Sequence, residues 1–191
     1  MTTIDRRRVV AATAWTVPLV VVGSPAAWAA CSGPVTTYTP ALSISSSTTT
    51  KDVNGHTIGH FYFAIRNDGT TTLPAGTTYT VTITAEKSPG TTAKDVLVTP
   101  QTSPGITPTG TTRFNPSGTG GAVASKTYSV VLPAALPPGA TFTADWFVDS
   151  ETGVGATRLR LDARLVSYST TSCGQTTAGT ATSVTSYWGA K

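Results

Sequence analysis

The chain has 191 residues, of which only 12% are charged, and 13 lysines and arginines outweigh nine aspartates and glutamates to give a net charge of +4. Its 18 glycines, 13 prolines and many threonines disfavour helices and suit short strands and turns, which argues against a helical bundle or a coiled coil. Because 39% of the residues are hydrophobic, the chain can build one packed core, and this excludes a wholly disordered protein.

Residues 1–29 have the features of an export signal. Three arginines at 6–8 precede an apolar run over 9–23, and Ala27-Trp28-Ala29 is typical of a cleavage site. The run is short for a membrane span, so we predict a secreted or cell-surface-associated protein with no membrane span after signal removal. Asp5 to Val10 match a twin-arginine (Tat) signal in part, which leaves the Tat and the general secretory (Sec) routes open.

The remaining chain, 30–191, is predicted to form a single domain. The signal contains three arginines and one aspartate, so ten basic and eight acidic side chains remain, with a net charge of +2. No basic cluster with interleaved aromatic residues is left to follow a phosphate backbone, and nucleic acid is therefore not an expected partner. We expect no cofactor.

Two cysteines, Cys31 and Cys173, lie near the ends of this domain. In an exported protein a disulfide between them is the natural prediction, and closing so long a loop is worth on the order of 4 to 5 kcal/mol in the chain-entropy model. Ala29-Ala30-Cys31 also resembles the end of a lipobox. Lipidation of Cys31 would prevent the disulfide. Two cysteines without a nearby histidine pair do not form a zinc site.

Alternation of apolar and polar residues is the dominant pattern of the domain, and it predicts strands with one face in the core. The clearest case is 78–85, where Tyr79, Val81 and Ile83 alternate with threonines. The seven predicted strands cover 41–46, 57–66, 78–85, 95–98, 126–132, 141–149 and 158–165. Residues 176–188 supply either an eighth strand or a tail.

Turn sequences separate these strands. Arg66-Asn67-Asp68-Gly69 follows one strand, and Leu73-Pro74-Ala75-Gly76 and Leu136-Pro137-Pro138-Gly139 form an internal echo, each followed by an alternating strand. Many short strands joined by such turns predict an all-β fold, an antiparallel β-sandwich of about 7–8 strands, with a closed barrel as the alternative.

A stretch rich in proline, glycine and threonine occupies 99–125 and is predicted to be a long loop, either functional or flexible. Arg113 and Phe114 are its only pair of large side chains. Phe114 is a candidate ligand-binding residue if it is exposed, whereas the alternative is that it folds back onto the edge of the sandwich.

Catalytic and metal-binding motifs find little support. His56 and His60 are four residues apart on a predicted strand, about 13 Å along its axis, too far to chelate one metal. We expect them on a solvated face without an acidic partner, and we predict no metal site. No serine occupies a Gly-x-Ser-x-Gly elbow.

The strands 141–149 and 158–165 are predicted to pair as a hairpin around 151–155. In that register Asp149 faces Arg158, Phe147 faces Arg160 and Asp145 faces Asp162. Arg160 and Arg164 would then offset the repulsion between the two aspartates. We interpret this set as a solvent-facing charge ladder rather than a catalytic pair of carboxylates or a calcium site. The ladder comprises Asp145, Asp149, Arg158, Arg160, Asp162 and Arg164.

Aromatic residues provide the candidate ligand-binding positions. Trp146 alternates with Phe142, Ala144 and Val148, so we expect it in the core. Phe147 and Tyr62 alternate with the opposite set, and Trp188 lies near the terminus, so these three are predicted to be exposed.

Ile65-Arg66-Asn67-Asp68-Gly69, followed by Leu73-Pro74-Ala75-Gly76 and an alternating strand, resembles the immunoglobulin-like modules of bacterial surface proteins. The signal is likewise similar to those of secreted actinobacterial proteins. The resemblance implies an immunoglobulin-like sandwich and a non-enzymatic structural or adhesive role. The alternatives are a carbohydrate-binding module and a small extracellular hydrolase. The partner is not determined, and a cell-wall glycan or another surface protein are the candidates. O-linked sugars on the threonine-rich stretches are a further hypothesis.

Overall fold

The computed structural model describes residues 38, 40–47, 49–87, 92–102, 104–150, 157–167 and 183–188. Over these residues the protein is all-β, as the composition predicts. None of them forms a helix long and apolar enough to cross a membrane. The predicted signal, Cys31 and Cys173 lie outside the described residues.

Eleven strands are present in the described part of the chain, more than the seven or eight predicted, because several are only two or three residues long. Numbered in chain order, they are β1 (Pro40–Ser46), β2 (Thr50–Lys51), β3 (Thr57–Asn67), β4 (Thr78–Lys87), β5 (Val96–Pro100), β6 (Ile106–Thr107), β7 (Thr112–Phe114), β8 (Ser125–Val131), β9 (Thr141–Ser150), β10 (Thr157–Ser167) and β11 (Ser183–Trp188).

The strands form two antiparallel sheets. The first sheet has the order β1-β3-β9-β5-β7, with β2 paired to β3, and the second has the order β11-β10-β4-β8-β6. Side chains from both sheets form one core, in which the Phe63 and Tyr79 rings lie 5.8 Å apart and the Tyr128 and Trp146 rings 6.0 Å apart. The arrangement is therefore two-layered and sandwich-like, with inward side chains at every second residue.

The two echoed turn sequences pair with each other. Leu73 and Leu136 exchange backbone hydrogen bonds of 2.9 and 2.8 Å. Each turn then closes on a glycine with positive φ, +80° at Gly76 and +76° at Gly139, the conformation that the third residue of a type II turn requires. The sequence echo thus reflects two equivalent turns that meet at one end of the molecule.

Asn67 links these turns to the end of β3. Its buried side-chain amide donates hydrogen bonds to the carbonyl oxygens of Thr71 and Leu136, at 2.8 and 2.9 Å, and its side-chain oxygen accepts one from the backbone N–H of Gly69 at 3.1 Å. The Asn-x-Gly sequence is therefore a buried structural anchor, with every polar atom of the asparagine side chain used.

The stretch 99–125 is not a single loop. It contains β6 and β7, which add to the edges of the two sheets, and Phe114 is 0% exposed in the core. Phe114 is therefore not a surface ligand-binding residue. Phe114 and Thr112 both point inward along β7, and Arg113 between them points outward. A strand of three residues is too short to be recognised from alternation in a sequence rich in proline and glycine.

Candidate functional site

The outer face of the first sheet brings together two aromatic side chains and a histidine. Along β3 the buried positions alternate with half-buried ones, which leaves His60 and Tyr62 on the outer face. On β9 the same alternation buries Trp146 and turns Phe147 outward. The prediction that Trp146 is buried and Phe147 is not is confirmed.

Register places these outward rings side by side. β3 and β9 are antiparallel neighbours in which His60 is opposite Phe147 and Tyr62 is opposite Asp145. The His60 ring lies 5.9 Å from the Tyr62 ring with their planes 7° apart, and 5.4 Å from the Phe147 ring with the planes 66° apart. We call His60, Tyr62 and Phe147 the aromatic patch. Both edge-to-face and stacked geometries are favourable for ring pairs.

Asp145 lies beside the patch and is held in place from two sides. Its Oδ1 is 2.9 Å from Nδ1 of His60, with both side chains about one third exposed or less. Its backbone N–H donates to the Thr102 hydroxyl at 2.8 Å, and its carbonyl accepts from the N–H of Gln101 at 2.8 Å. The carboxylate therefore fixes the orientation of the His60 ring at the centre of the patch.

A second histidine, His56, lies immediately before β3 and also pairs with aspartates. His56 Nδ1 is 3.2 Å from Asp149 Oδ1 and 3.7 Å from Asp52 Oδ2. Desolvation raises the pKa of Asp52, but hydrogen bonds from the backbone N–H groups of His56 and Asn54, together with the His56 side chain, outweigh it and bring the pKa below its ordinary value of 3.8. Asp52 thus stays ionised, and its carboxylate stabilises the turn before β3 by accepting hydrogen bonds from the N–H groups of Asn54 and His56.

The expectation that neither histidine has an acidic partner is wrong. His60 pairs with Asp145, and His56 pairs with Asp149 and Asp52. The alternation of Asp145, Phe147 and Asp149 along β9 was the available signal, since all three share a face. The missing information was that β9 pairs with β3, more than 80 residues earlier in the chain. Within the described residues, no group of three or more histidine, cysteine, aspartate or glutamate side chains is arranged to hold a metal ion.

The predicted hairpin between 141–149 and 158–165 does not form. β9 belongs to the first sheet and β10 to the second, so Asp145 and Asp149 do not face Asp162 and Arg158. A turn-forming sequence between two strands does not distinguish a hairpin from a connection between sheets, and this is why the register prediction failed.

The four charged residues of β10 nevertheless share one outward face. Arg158 forms a 2.7 Å ion pair with Glu86 of β4 and lies 4.8 Å from the centre of the Tyr187 ring. Arg160 pairs with Asp162 at 2.9 Å. Arg164 donates to the Thr80 hydroxyl at 3.4 Å. The charged residues of β10 therefore share one face as predicted, but they contact residues of β4, β10 and β11 and not of β9.

The prediction that Trp188 is exposed is wrong. It is only 1% exposed, because it lies opposite the buried Leu159 in the pairing of β11 with β10 and therefore points inward. Its indole Nε1 lies close to Gly59 of β3, where an added Cβ atom would be 3.3 Å away. Trp188 is thus part of the core between the edges of the two sheets and not a surface platform.

No protein-family model matches the chain, and no curated protein matches it. Seven solved chains match in structure. One is from a structure titled "AvmM Catalyzes Macrocyclization in Alchivemycin A Biosynthesis", with 8% identity, a TM-score of 0.34 and coverage of 80% of this chain and 89% of that one.

A second match is titled "Pore forming protein", with 6% identity, a TM-score of 0.33 and coverage of 78% and 90%. A third, a structural genomics target named SoR45, has 8% identity, a TM-score of 0.25 and coverage of 78% and 84%. Similarity at this level carries no inference about what the chain does, so function has to be argued from its own residues.

Proposed function

We propose that the chain is a non-enzymatic, exported adhesive module with an immunoglobulin-like β-sandwich fold, and that it adheres through the outer face of its first sheet. The aromatic patch carries the proposal. Three partly exposed rings lie together on two central, well-paired strands, with a fixed carboxylate beside them. A rigid scaffold beneath such a patch lowers the entropic cost of binding. The export signal supports an extracellular location for the partner.

Carbohydrate is the partner that this patch favours, and a carbohydrate-binding module is the second candidate function. Sugar rings present apolar C–H faces that pack on aromatic rings, and their hydroxyls donate to carboxylates. An ionised carboxylate has about four acceptor sites, of which His60 uses one on Asp145. The partly exposed rings of Tyr62 and Phe147 supply apolar surface, and Asp145 supplies the acceptor.

The geometry gives less support to a hydrolase. Asp145 and Asp149 are four residues apart on one strand, about 13 Å by the rise per residue, wider than the roughly 5 to 9.5 Å of paired glycosidase carboxylates. Asp52 and Asp149 are closer, but both carboxylates pair with Nδ1 of His56, at 3.7 and 3.2 Å.

The test is retention on insoluble material. A chain beginning at Ala30 is mixed with cellulose, chitin, peptidoglycan and whole Gram-positive cell walls, and the bound fraction is measured. We expect retention on cell walls and on at least one purified glycan. Tyr62→Ala should weaken it about tenfold or more, since truncating a central aromatic residue in a binding site removes 2 kcal/mol or more.

Tyr187→Ala is the matched control, because Tyr187 is a 45% exposed tyrosine on the outer face of the other sheet. Retention on cell walls but on no glycan would keep the adhesive module and reject the carbohydrate partner. Equal weakening by Tyr62→Ala and Tyr187→Ala, or no retention on any material, would reject adhesion through the patch.

A further inference from the structure

The outer face of the second sheet contains a groove that the proposed adhesive site does not use. It has a volume of about 340 Å³, at the lower end of the range of roughly 300 to 1,000 Å³ for small-ligand sites. It lies across β4, β10 and β11, in the other sheet from the aromatic patch. We call it the arginine groove. Its polar lining consists of Thr82, Arg160, Asp162, Arg164, Ser183 and Thr185.

Two of the three arginines on this face of β10 are already neutralised. Arg158 pairs with Glu86 at 2.7 Å. Arg160 pairs with Asp162 at 2.9 Å and approaches Glu86 at 3.8 Å, and the hydrogen bond that Arg160 donates to Asp162 is the main reason that the pKa of Arg160 is raised further. These two guanidinium groups are therefore committed to carboxylates of the same sheet.

Asp162 is committed as well. Its Oδ2 accepts from Nε of Arg160 and its Oδ1 accepts from the Thr185 hydroxyl at 2.7 Å. Each carboxylate oxygen thus accepts one hydrogen bond, and the charge of Asp162 is balanced by Arg160. Because Arg160 compensates its charge, Asp162 neither attracts a cation strongly nor repels an anion strongly.

Arg164 is left with uncompensated positive charge. It is exposed, and within the described part of the chain no carboxylate lies within 4.0 Å of it, while its Nε donates to the Thr80 hydroxyl at 3.4 Å. In the register of the sheet it lies directly between Thr80 of β4 and Ser183 of β11. Among the described residues the guanidinium group of Arg164 thus has no carboxylate partner and is flanked by hydroxyl groups on both sides.

We propose that the arginine groove binds the anionic group, carboxylate or phosphate, of an acidic polysaccharide. A guanidinium fork matches both of these anions with two parallel hydrogen bonds. The hydroxyls of Thr82, Ser183 and Thr185 line the same groove and have acceptor capacity for sugar hydroxyls next to that group. The net charge of the groove, one positive unit at Arg164, is complementary to one anionic group of a polymer chain.

The test is affinity electrophoresis of a chain beginning at Ala30 in gels that contain polygalacturonate, phosphorylated dextran or neutral dextran. Retardation is expected with one or both charged polymers and not with neutral dextran, and the two charged gels distinguish a carboxylate from a phosphate. It should disappear near 1 M salt, where the Debye length falls to ~3 Å. Arg164→Gln should raise the apparent dissociation constant about tenfold.

Arg66→Gln is the matched control, since Arg66 is an exposed arginine of the first sheet that pairs with Asp68 at 2.7 Å and its loss changes the net charge equally. Equal effects of the two variants would mean that only net charge matters and would overturn the proposal. So would the absence of retardation with both charged polymers.

Salt-sensitive self-association that Arg164→Gln abolishes, without polymer binding, would instead assign the groove to a second copy of the chain. Tyr62→Ala should leave retardation unchanged, which separates this site from the adhesive one.

Discussion

Two sets of aromatic rings occupy alternate residues of the same two strands. Phe61 and Trp146 are opposite each other on the inner face, fully buried, with ring centres 4.9 Å apart. One residue away, His60 and Phe147 are opposite each other on the outer face, with ring centres 5.4 Å apart and partial exposure. The backbone and the register are the same for both pairs, so only the face differs.

On this one pair of strands, the inner rings serve stability and the outer rings are available for recognition. The inner rings contact the second sheet, since Trp146 lies against Tyr128, and their burial stabilises the fold. The outer rings have no second layer over them among the described residues, so their remaining surface is available to a partner. Because a rigid core lies directly beneath, the outer rings are held in place without contributing much to stability.

The largest expected effect is on the inner face. Trp146→Ala should lower the free energy of unfolding by about 3 to 5 kcal/mol, because it removes a fully buried indole and leaves a cavity. Phe147→Ala, one residue away, should lower it by only about 1 kcal/mol. Urea unfolding of both variants measures the difference. Comparable losses would contradict the division between the two faces.

The dependence of stability on pH tests the burial of Tyr128 on the inner face of the second sheet. Burial raises the pKa of its hydroxyl above 10.0, against the opposing effect of its 3.1 Å hydrogen bond to Thr112. The folded protein therefore holds this proton more tightly than the unfolded chain, so the stabilisation is complete below pH 10 and is lost as the pH rises through the raised value.

The measurement is the free energy of unfolding between pH 8 and pH 11, in roughly half-unit steps. Tyr128→Phe should lower stability near neutral pH by about 1 kcal/mol, through the lost hydrogen bond, and should flatten the alkaline decline. Tyr187→Phe, on an exposed tyrosine, is the control and should leave the decline unchanged. A decline equally steep without the Tyr128 hydroxyl would assign it to other groups.

The smallest effect is expected on the outer face. Asp145→Ala removes the carboxylate that orients His60, but both side chains are partly exposed, so the free energy of unfolding should fall by only about 0.5 to 1 kcal/mol. Asp68→Ala breaks the more exposed Arg66 pair and should change it by less than about 0.5 kcal/mol. If Asp145→Ala costs several kcal/mol, the outer face is a structural element rather than a binding surface.

Alternation in the sequence predicted the long strands well. The segments 57–66, 78–85, 141–149 and 158–165 correspond to β3, β4, β9 and β10 within two residues at each end. These strands are long and one face of each is buried, so the period of two is unmistakable. β6 and β7 are too short to show a period, and Trp188 was misplaced because its segment was not assigned a partner strand.

The candidate site was predictable only in its components. Alternation alone selected Tyr62 and Phe147 as outward residues, but their proximity depends on pairing between β3 and β9. Five strands lie between these two in the chain, and three of the five belong to the other sheet. The pairing of His60 with Asp145 depends on the same long-range contact. Local sequence contains no information about which of several similar strands becomes a neighbour, and for that reason β10 was wrongly paired with β9.

The most direct test of the division between the two faces measures binding and stability on one sample of Phe147→Ala. The bound fraction on cell walls and the midpoint of urea unfolding are compared with those of the unsubstituted chain. Retention should fall about tenfold, whereas the free energy of unfolding should change by about 1 kcal/mol or less. Full retention, or a loss of stability as large as that of Trp146→Ala, would contradict the division between the two faces.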